Sequence, residues 1–355
     1  MKMIILCPIE ASLREAPDHL LFATKHLEEQ GRISGHDINV RFLYYSQRGY
    51  SRWRRIVLNV ILAIRIMCIK HHILYCGTET ANIVLLALLK RVGLYRKDIY
   101  AWKYVAIKKN NNPIETLIKR IVFNGFTRLF MVTKKHVGDS SYLIDSNRMT
   151  YLKWGIDLEY IDRFVHPKNR VFTFITTGKA YRDFDTLCQA FFLVHSAQLI
   201  IITENNWGGI DYKKMLMKYQ SPKIKVVFTN EMKGNILDYI YLEMHKAHCA
   251  LVICQKVNFG VGYTQILDSM ACSLPVIATY NKDNPIDIDG LGVGCTVPTE
   301  DSDSLASAMQ KMVDDHKLAA ICAARARSLT EKEYNIQRVA KDVVRIISKN
   351  GSIAR

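Results

Sequence analysis

A glycine-rich loop runs into a short helix at Gly260-Val-Gly262-Tyr263-Thr264, within the stretch NFGVGYTQILDSMACSLPVIAT, residues 258–279. Gly260 and Gly262 leave the backbone free to turn and to approach a ligand closely. A helix starting near Thr264 turns its first peptide N–H groups toward that loop, where they favour an anion. Thr264 and Asp268 are four residues apart and share one helix face. Pro275 ends the helix, and Pro275–Thr279 reads as a buried strand. A second glycine turn, at Gly178, follows the strand Val171–Thr176 and carries Lys179 and Arg182. These are cationic donors at a strand end.

Such residues need a scaffold, and the chain supplies one. Its 355 residues suffice for two α/β domains. With 49% hydrophobic and 23% charged residues it can bury real cores and is not disordered. No apolar run reaches the length of a membrane-spanning helix, and MKMIILCPIE reads as a first strand rather than a signal peptide. Nine cysteines without a CxxC pair suggest reduced thiols in the cytosol, not a disulfide frame or a zinc site.

Strands and helices alternate twice. The first series has strands at 3–7, 38–44, 73–75, 99–105 and 127–132, with helices at 17–30, 52–70, 79–91 and 113–122 between them. The second has strands at 171–176, 199–203, 224–228, 250–254 and 275–279, with helices at 184–195, 213–219 and 235–247. A last helix lies near 332–348. This order predicts parallel sheets covered on both faces. The fold class is α/β, with two Rossmann-like domains facing across a cleft. Ligands in such sheets sit beyond the carboxyl ends of the strands. The domains are assigned to 1–155 and 156–330. Residues 331–355 form a C-terminal helix able to cross back to the first.

Three stretches of the second half resemble the nucleotide-sugar glycosyltransferases of GT-B architecture, in the group of glycogen-synthase-like and bacterial surface-polysaccharide enzymes. Residues 151–158, YLKWGIDL, resemble the segment that opens the second domain. Residues 174–187, FITTGKAYRDFDTL, resemble its glycine-basic turn. Residues 268–277, DSMACSLPVI, resemble an acidic-Ala-Met-Ala-x-Gly-x-Pro-Val signature. The likeness is clearest over 150–280. It implies a hexosyltransferase that works with retention and takes its sugar from a nucleotide-diphosphate-sugar. Gly178, Lys179, Arg182, Gly262, Tyr263, Thr264 and Asp268 would hold that donor. The helix start would bind the diphosphate, and Asp268 would accept hydrogen bonds from the ribose hydroxyls. Lys179, Arg182 and Asp268 are the expected catalytic set, the two cations neutralising the leaving diphosphate. No cofactor and no metal are expected, because the cations and the helix end do that work.

The chain departs from the family pattern in places. Of two glutamates usually eight positions apart, the second is Asp268 and the first falls on Gly260. The usual glycine after Met-Ala-x is Ser273. Pro8-Ile9-Glu10-Ala11-Ser12 stands where a Gly-Gly loop is usual. Nothing in the first half marks a general base; Glu10, His19, Glu79 and Lys103 lie near strand ends and read as structural. Two other readings therefore stay open: a nucleotide-sugar epimerase of the same fold, and a non-catalytic GT-B scaffold.

The net charge of +16 is uneven, with 24 Lys and Arg against 11 Asp and Glu in residues 1–150. Such asymmetry points to a polyanionic partner. In the helix 52–70, Trp53, Val57, Val60, Ile61, Ile64, Met67 and Cys68 share an arc that can cover the sheet. Leu58, Leu62, Ile66 and Ile69 remain outside it. Arginines beside Trp53 suit an anionic lipid interface. The expected partners are the sugar donor, a glycan or lipid-linked acceptor and an anionic membrane surface. The expected location is cytoplasmic and peripheral, on the inner face of the cell membrane. Tyr44, Tyr45, Tyr50 and Trp53 among Arg48, Arg52 and Arg54 give RNA or DNA a competing claim. No nucleic-acid motif supports it, and none is expected to bind.

Overall fold

In a computed structural model that describes residues 1–7, 16–44, 51–77, 83–107, 109 and 111–349, the chain forms two units. The first comprises residues 1–155 and 336–355, the second 156–335. Glu10, Tyr45, Arg48, Tyr50, Glu79 and Lys108 lie outside the described residues.

The first unit has strands β1 (Lys2–Cys7), β2 (Asn39–Tyr44), β3 (Ile73–Cys76), β4 (Asp98–Lys103), β5 (Arg128–Met131) and β6 (Met149–Tyr151). They pair in parallel in the order β2-β1-β3-β4-β5-β6. β3 and nearly all of β4 and β5 are buried, as apolar strands covered on both faces must be. The crossovers are α1 (Thr24–Ile33), α2 (Arg52–Cys68), α3 (Val84–Arg91) and α4 (Pro113–Phe123); α5 (Lys134–Ser140) follows β5. α1 starts at Thr24, later than its apolar spacing suggests, because Phe22 and Ala23 have left-handed backbone (φ 62° and 63°). Buried Asp18 accepts the N–H groups of Lys25 and His26, and lies 2.6 Å from His26 Nδ1.

α2 corrects the sequence reading. Leu62, Ala63 and Ile66 face the core. The wider arc expected to cover the sheet is exposed, with Trp53 at 78% and Val57, Val60, Ile61, Ile64 and Met67 all above 40%. His19 and Lys103 are buried.

The second unit has strands β7 (Phe172–Thr177), β8 (Ala197–Thr203), β9 (Asn206–Trp207), β10 (Ile210–Asp211), β11 (Ile224–Phe228), β12 (Cys249–Val252), β13 (Val276–Thr279) and β14 (Gly294–Val297). Six of them form a parallel sheet in the order β11-β8-β7-β12-β13-β14, while β9 and β10 make a separate hairpin. Its first helices are α6 (Leu158–Ile161), α7 (Phe184–Phe192), α8 (Tyr212–Leu216), α9 (Ile236–Lys246) and α10 (Tyr263–Ala271). Then come α11 (Ile288–Leu291), α12 (Ser302–Asp314) and α13 (His316–Glu333), which the sequence reading did not foresee. Finally α14 (Ile336–Lys349) packs on α1 in the first unit, burying Val339, Ala340, Val343, Val344 and Ile347. Both units are Rossmann-like.

The order of strands fixes where a ligand fits. The second sheet starts at β7 and grows one way through β8 and β11, then the other way from β12. The chain leaves β7 and β12 toward opposite sides of the sheet, so the switch point where a ligand is expected lies at the carboxyl ends of these two strands. The loop after β7 holds Gly178, Lys179 and Arg182; the loop after β12 leads into α10.

α10 ends as the sequence expects, but through a strained residue. Ser273 takes φ 55°, while its N–H donates to Met270 O and that of Leu274 to Ser269 O. Glycine takes up this left-handed stop without strain. We expect Ser273→Gly to stabilise the protein by about 1 kcal/mol, seen as a higher urea midpoint at unchanged slope. An unchanged or lower midpoint would count against strain at this residue.

Candidate functional site

Arg182 lies at this switch point. Its backbone bridges to Cys254, Gln255 N–H donates to Tyr181 O, and Asp183 N–H donates to Ile253 O. The loops after β7 and β12 are thus joined. The residue is 5% exposed. Nε donates to Thr177 O at 3.1 Å, Nη1 to Ala180 O at 3.3 Å and Cys254 Sγ at 3.0 Å, and Nη2 to Gln265 Oε1 at 2.8 Å. Gln265 in turn donates to Leu251 O, so one side chain locks the first turn of α10 to β7 and β12.

None of those acceptors is a carboxylate. The neighbouring acids are used elsewhere: Asp183 caps α7 through the N–H and hydroxyl of Thr186, and Asp185 accepts from Tyr219. Cys254 cannot be the counter-ion, because burial pushes its thiol up against the partial pull of Arg182. A guanidinium keeps its charge at all physiological pH. A buried cation without a counter-ion is costly, and an anion arriving beside it removes the cost.

The start of α10 adds to that attraction. Gly262 is its N-cap, with φ 78° and no side-chain capping bond. A Cβ there would sit 2.5 Å from Val252 Cγ1 and 3.6 Å from Arg182 Nη1. Gly178, with φ 88°, is equally constrained: a Cβ would lie 2.9 Å from Arg182 Nη2. Both glycines therefore let the backbone close around the guanidinium. Thr264 is exposed on the first turn and Tyr263 half-buried.

Lys179 is placed less simply. Its carbonyl accepts from Tyr212 at 2.8 Å, and its ammonium pairs with Glu204, just after β8. Both partners are more than a third exposed, so this bond is readily exchanged. The aromatic rings of Tyr181, Trp207 and Phe259 pack edge to face beside the turn.

Asp268, one turn along α10 from Thr264, accepts from Tyr241 at 3.1 Å. Burial raises its carboxyl to about 7, with the Tyr241 bond pulling the other way. Burial, then the charge of Asp268, pushes the Tyr241 phenol well up, so it stays a donor. The late acids have structural work: Asp287 and Asp301 cap α11 and α12, and Asp289 holds Thr296. Among the described residues no group of three metal-ligating side chains gathers.

Sequence reasoning missed Gln265, Glu204, Tyr241 and Cys254. Gln265 left a signal, a polar residue on the buried face of an apolar helix. The other three meet the site only through the sheet order.

Two doubly wound units of this kind in one chain have known counterparts. Residues 169–315 match the family of glycosyl transferases group 1. The glycosyltransferase from Rickettsia africae superposes with a TM-score of 0.72 at 14% identity, over 98% of this chain and 98% of that one. The chain resembles GT-B glycosyltransferases in fold. HepE from Anabaena, solved with UDP-glucose, matches at 0.67 and 14% identity, over 98% of this chain and 100% of its own. Sucrose-phosphate synthase from Thermosynechococcus elongatus matches at 0.72 and 11%, over 98% and 99%. No curated protein matches by sequence.

The GT-B pattern makes two departures physical. Ser273 occupies a left-handed position where the family usually has glycine. Gly260 falls where the family's first acid is usual, and a Cβ there would lie 2.8 Å from the Asp283 carbonyl oxygen. The backbone itself closes that position to a side chain.

The raised Asp268 carboxyl gives a pH signature. Its folded value lies above the ordinary 3.8, so the folded state holds a proton that the unfolded state has lost. Its contribution to stability is full below about 4, falls as pH rises to about 7, and is flat beyond. Asp268→Asn cannot ionise. Its stability relative to the parent should rise by up to a few kcal/mol between pH 4 and pH 7, in urea titrations across that range. Parallel curves would contradict the burial of this charge.

Proposed function

We propose that the protein is a glycosyltransferase that moves a hexosyl group from a nucleotide-diphosphate-sugar to a hydroxyl of a glycan or lipid-linked acceptor. The buried Arg182 guanidinium, without a carboxylate partner among the described residues and beside the start of α10, which has no side-chain cap, carries this reading. The match of residues 169–315 to glycosyl transferases group 1 supports it, as does the UDP-glucose bound by HepE.

In the reaction the bond from the anomeric carbon to the diphosphate oxygen breaks. A bond from that carbon to the acceptor oxygen forms, and the acceptor proton passes to the departing diphosphate. Negative charge grows on the diphosphate as the first bond breaks. Arg182 and the N–H groups at Gly262–Thr264 are already fixed where that charge develops, so little reorganisation is needed. Lys179 leaves Glu204 to join them. Asp268, ionised, accepts from the ribose hydroxyls. Delivery of the acceptor proton to the diphosphate suits a retaining outcome and needs no protein base. The neutralisation is assigned to protein cations and the helix end, without a metal.

The basic first unit is proposed to rest on the anionic inner face of the cell membrane, where surface-polysaccharide acceptors are lipid-linked. No described helix is long and apolar enough to cross a membrane; the proposed contact is peripheral, from the cytoplasm. A second reading, a scaffold that binds nucleotide without transfer, is favoured by the backbone closure at Gly260.

Calorimetry with UDP, GDP and ADP, followed by a mass-spectrometric screen of the matching nucleotide-sugars, separates these readings. One diphosphate should bind. Arg182→Lys, which keeps the charge and loses the fork, should weaken binding roughly tenfold or more. Lys179→Ala should cost about three- to tenfold, because an exposed pair with Glu204 already holds that charge. Binding without transfer or donor hydrolysis would favour the scaffold, and no binding at all would end both.

Ionisation of Asp268 should also show in binding. With UDP-glucose, whose diphosphate does not titrate near neutrality, affinity should rise up to about tenfold per pH unit below 7 and level above it. Asp268→Asn should flatten the profile. A flat profile in the parent protein would remove the ribose role of Asp268.

A further inference from the structure

In the first unit, α2, α3 and α4 lie side by side on one face of the sheet. α3 contacts both of its neighbours. Leu62, Ala63 and Ile66 of α2, Leu86 and Ala87 of α3 and Val122 of α4 join the same core cluster. The opposite sides of α2 and α4 carry apolar residues at helical spacing where polar ones are usual. On α2 these include Trp53, Val57, Val60, Ile61 and Ile64; on α4 they are Ile114, Leu117, Ile118 and Ile121. All nine are exposed. Scattered exposed apolar residues are ordinary, but two stripes on one helical layer are not.

Charge accompanies the stripes. Arg52, Arg54, Arg55, Arg65 and Lys70 lie on or beside α2, and Lys119 and Arg120 on α4. The only acid on the two helices is Glu115, and it pairs with Lys119 at 2.6 Å. Long basic side chains can lay their stems along apolar surface while their heads reach phosphate. Another copy of this chain would bring like charges face to face, which costs affinity. An anionic bilayer complements both the charge and the apolar stripes.

We propose that α2 and α4 together form a two-helix platform that inserts shallowly into an anionic bilayer. The proposal rests on the membrane part of the function above and deepens it. α4 is added to α2, and apolar insertion is added to charge attraction. A platform of this kind keeps part of its hold when salt screens the charges.

The test uses the full chain, with vesicles of phosphatidylglycerol and phosphatidylethanolamine against vesicles of phosphatidylcholine. Flotation is read at about 0.05 M and about 0.5 M salt. The protein should float with the anionic vesicles, and a measurable fraction should stay bound at high salt. Trp53 should be quenched by brominated lipid, with Trp53→Phe as the control; Trp102 and Trp154 are buried. The α4 double variant Leu117→Asp with Ile118→Asp changes exposed residues only. It should lower partitioning by roughly tenfold or more at an unchanged melting temperature.

Wild-type partitioning in that variant, with loss only in Val57→Asp plus Ile61→Asp, would overturn the two-helix platform. A dimer in solution that the α4 variant converts to monomers would overturn it too, in favour of a second copy as the occupant. Absence of flotation at low salt would remove the membrane reading itself. Flotation without binding of any nucleotide diphosphate would leave the platform standing and sink the enzyme reading.

Discussion

The second unit is organised around one buried positive charge that its own acids do not answer. Arg182 gives its hydrogen bonds to two backbone carbonyls, a thiol and an amide. Each is a polar but neutral partner. Hydrogen bonds of this kind hold the fork in place without cancelling its field. The start of α10 contributes a second positive field at the same spot. The remaining features of the site follow from the need to hold both together. Gly178 and Gly262 lack side chains because a Cβ would strike the guanidinium or β12, and Gln265 is polar on a buried helix face because Nη2 needs an acceptor. Such an arrangement stores electrostatic free energy that only an anion releases.

Asp268 has the opposite character. Its burial holds a negative charge at a cost, and Tyr241 offsets part of that cost with one hydrogen bond. A buried cation held by neutral partners beside the start of α10, and a carboxylate one turn along that helix from Thr264, suit a ligand with phosphate at one point and hydroxyls at another. A nucleoside diphosphate has that pattern. Lys179 and Glu204 form the adjustable part, because an exposed pair exchanges partners at little cost.

Much of this was legible in the sequence, for identifiable reasons. Strands such as Phe172–Thr177 and Cys249–Val252 are short apolar runs between turn signals, and parallel strands must be so. The glycine turn and the helix start stood out because glycine and proline punctuate local structure. What was not legible depends on contacts distant in sequence. Arg182 has two acids close by in the sequence and bonds to neither, choosing Gln265, 83 residues away, instead. The sequence marked Asp268 by its helix face, but not the Tyr241 that α9 brings against it. α13 escaped notice because its alanine-rich pattern, HKLAAICAARARSLTEKE, has no strong apolar stripe. The face of α2 was misjudged because the helix is apolar on two arcs. Amphipathic spacing tells that arcs differ, not which one the core takes, and here the narrow arc with Leu62 and Ile66 suffices.

The most direct test is a crystal structure with the nucleoside diphosphate that binds best. The β-phosphate should lie within hydrogen-bond distance of the N–H groups at Gly262–Thr264 and close to Arg182, with the ribose hydroxyls on Asp268. A diphosphate bound elsewhere in the second unit, with the start of α10 occupied only by water, would contradict the central claim.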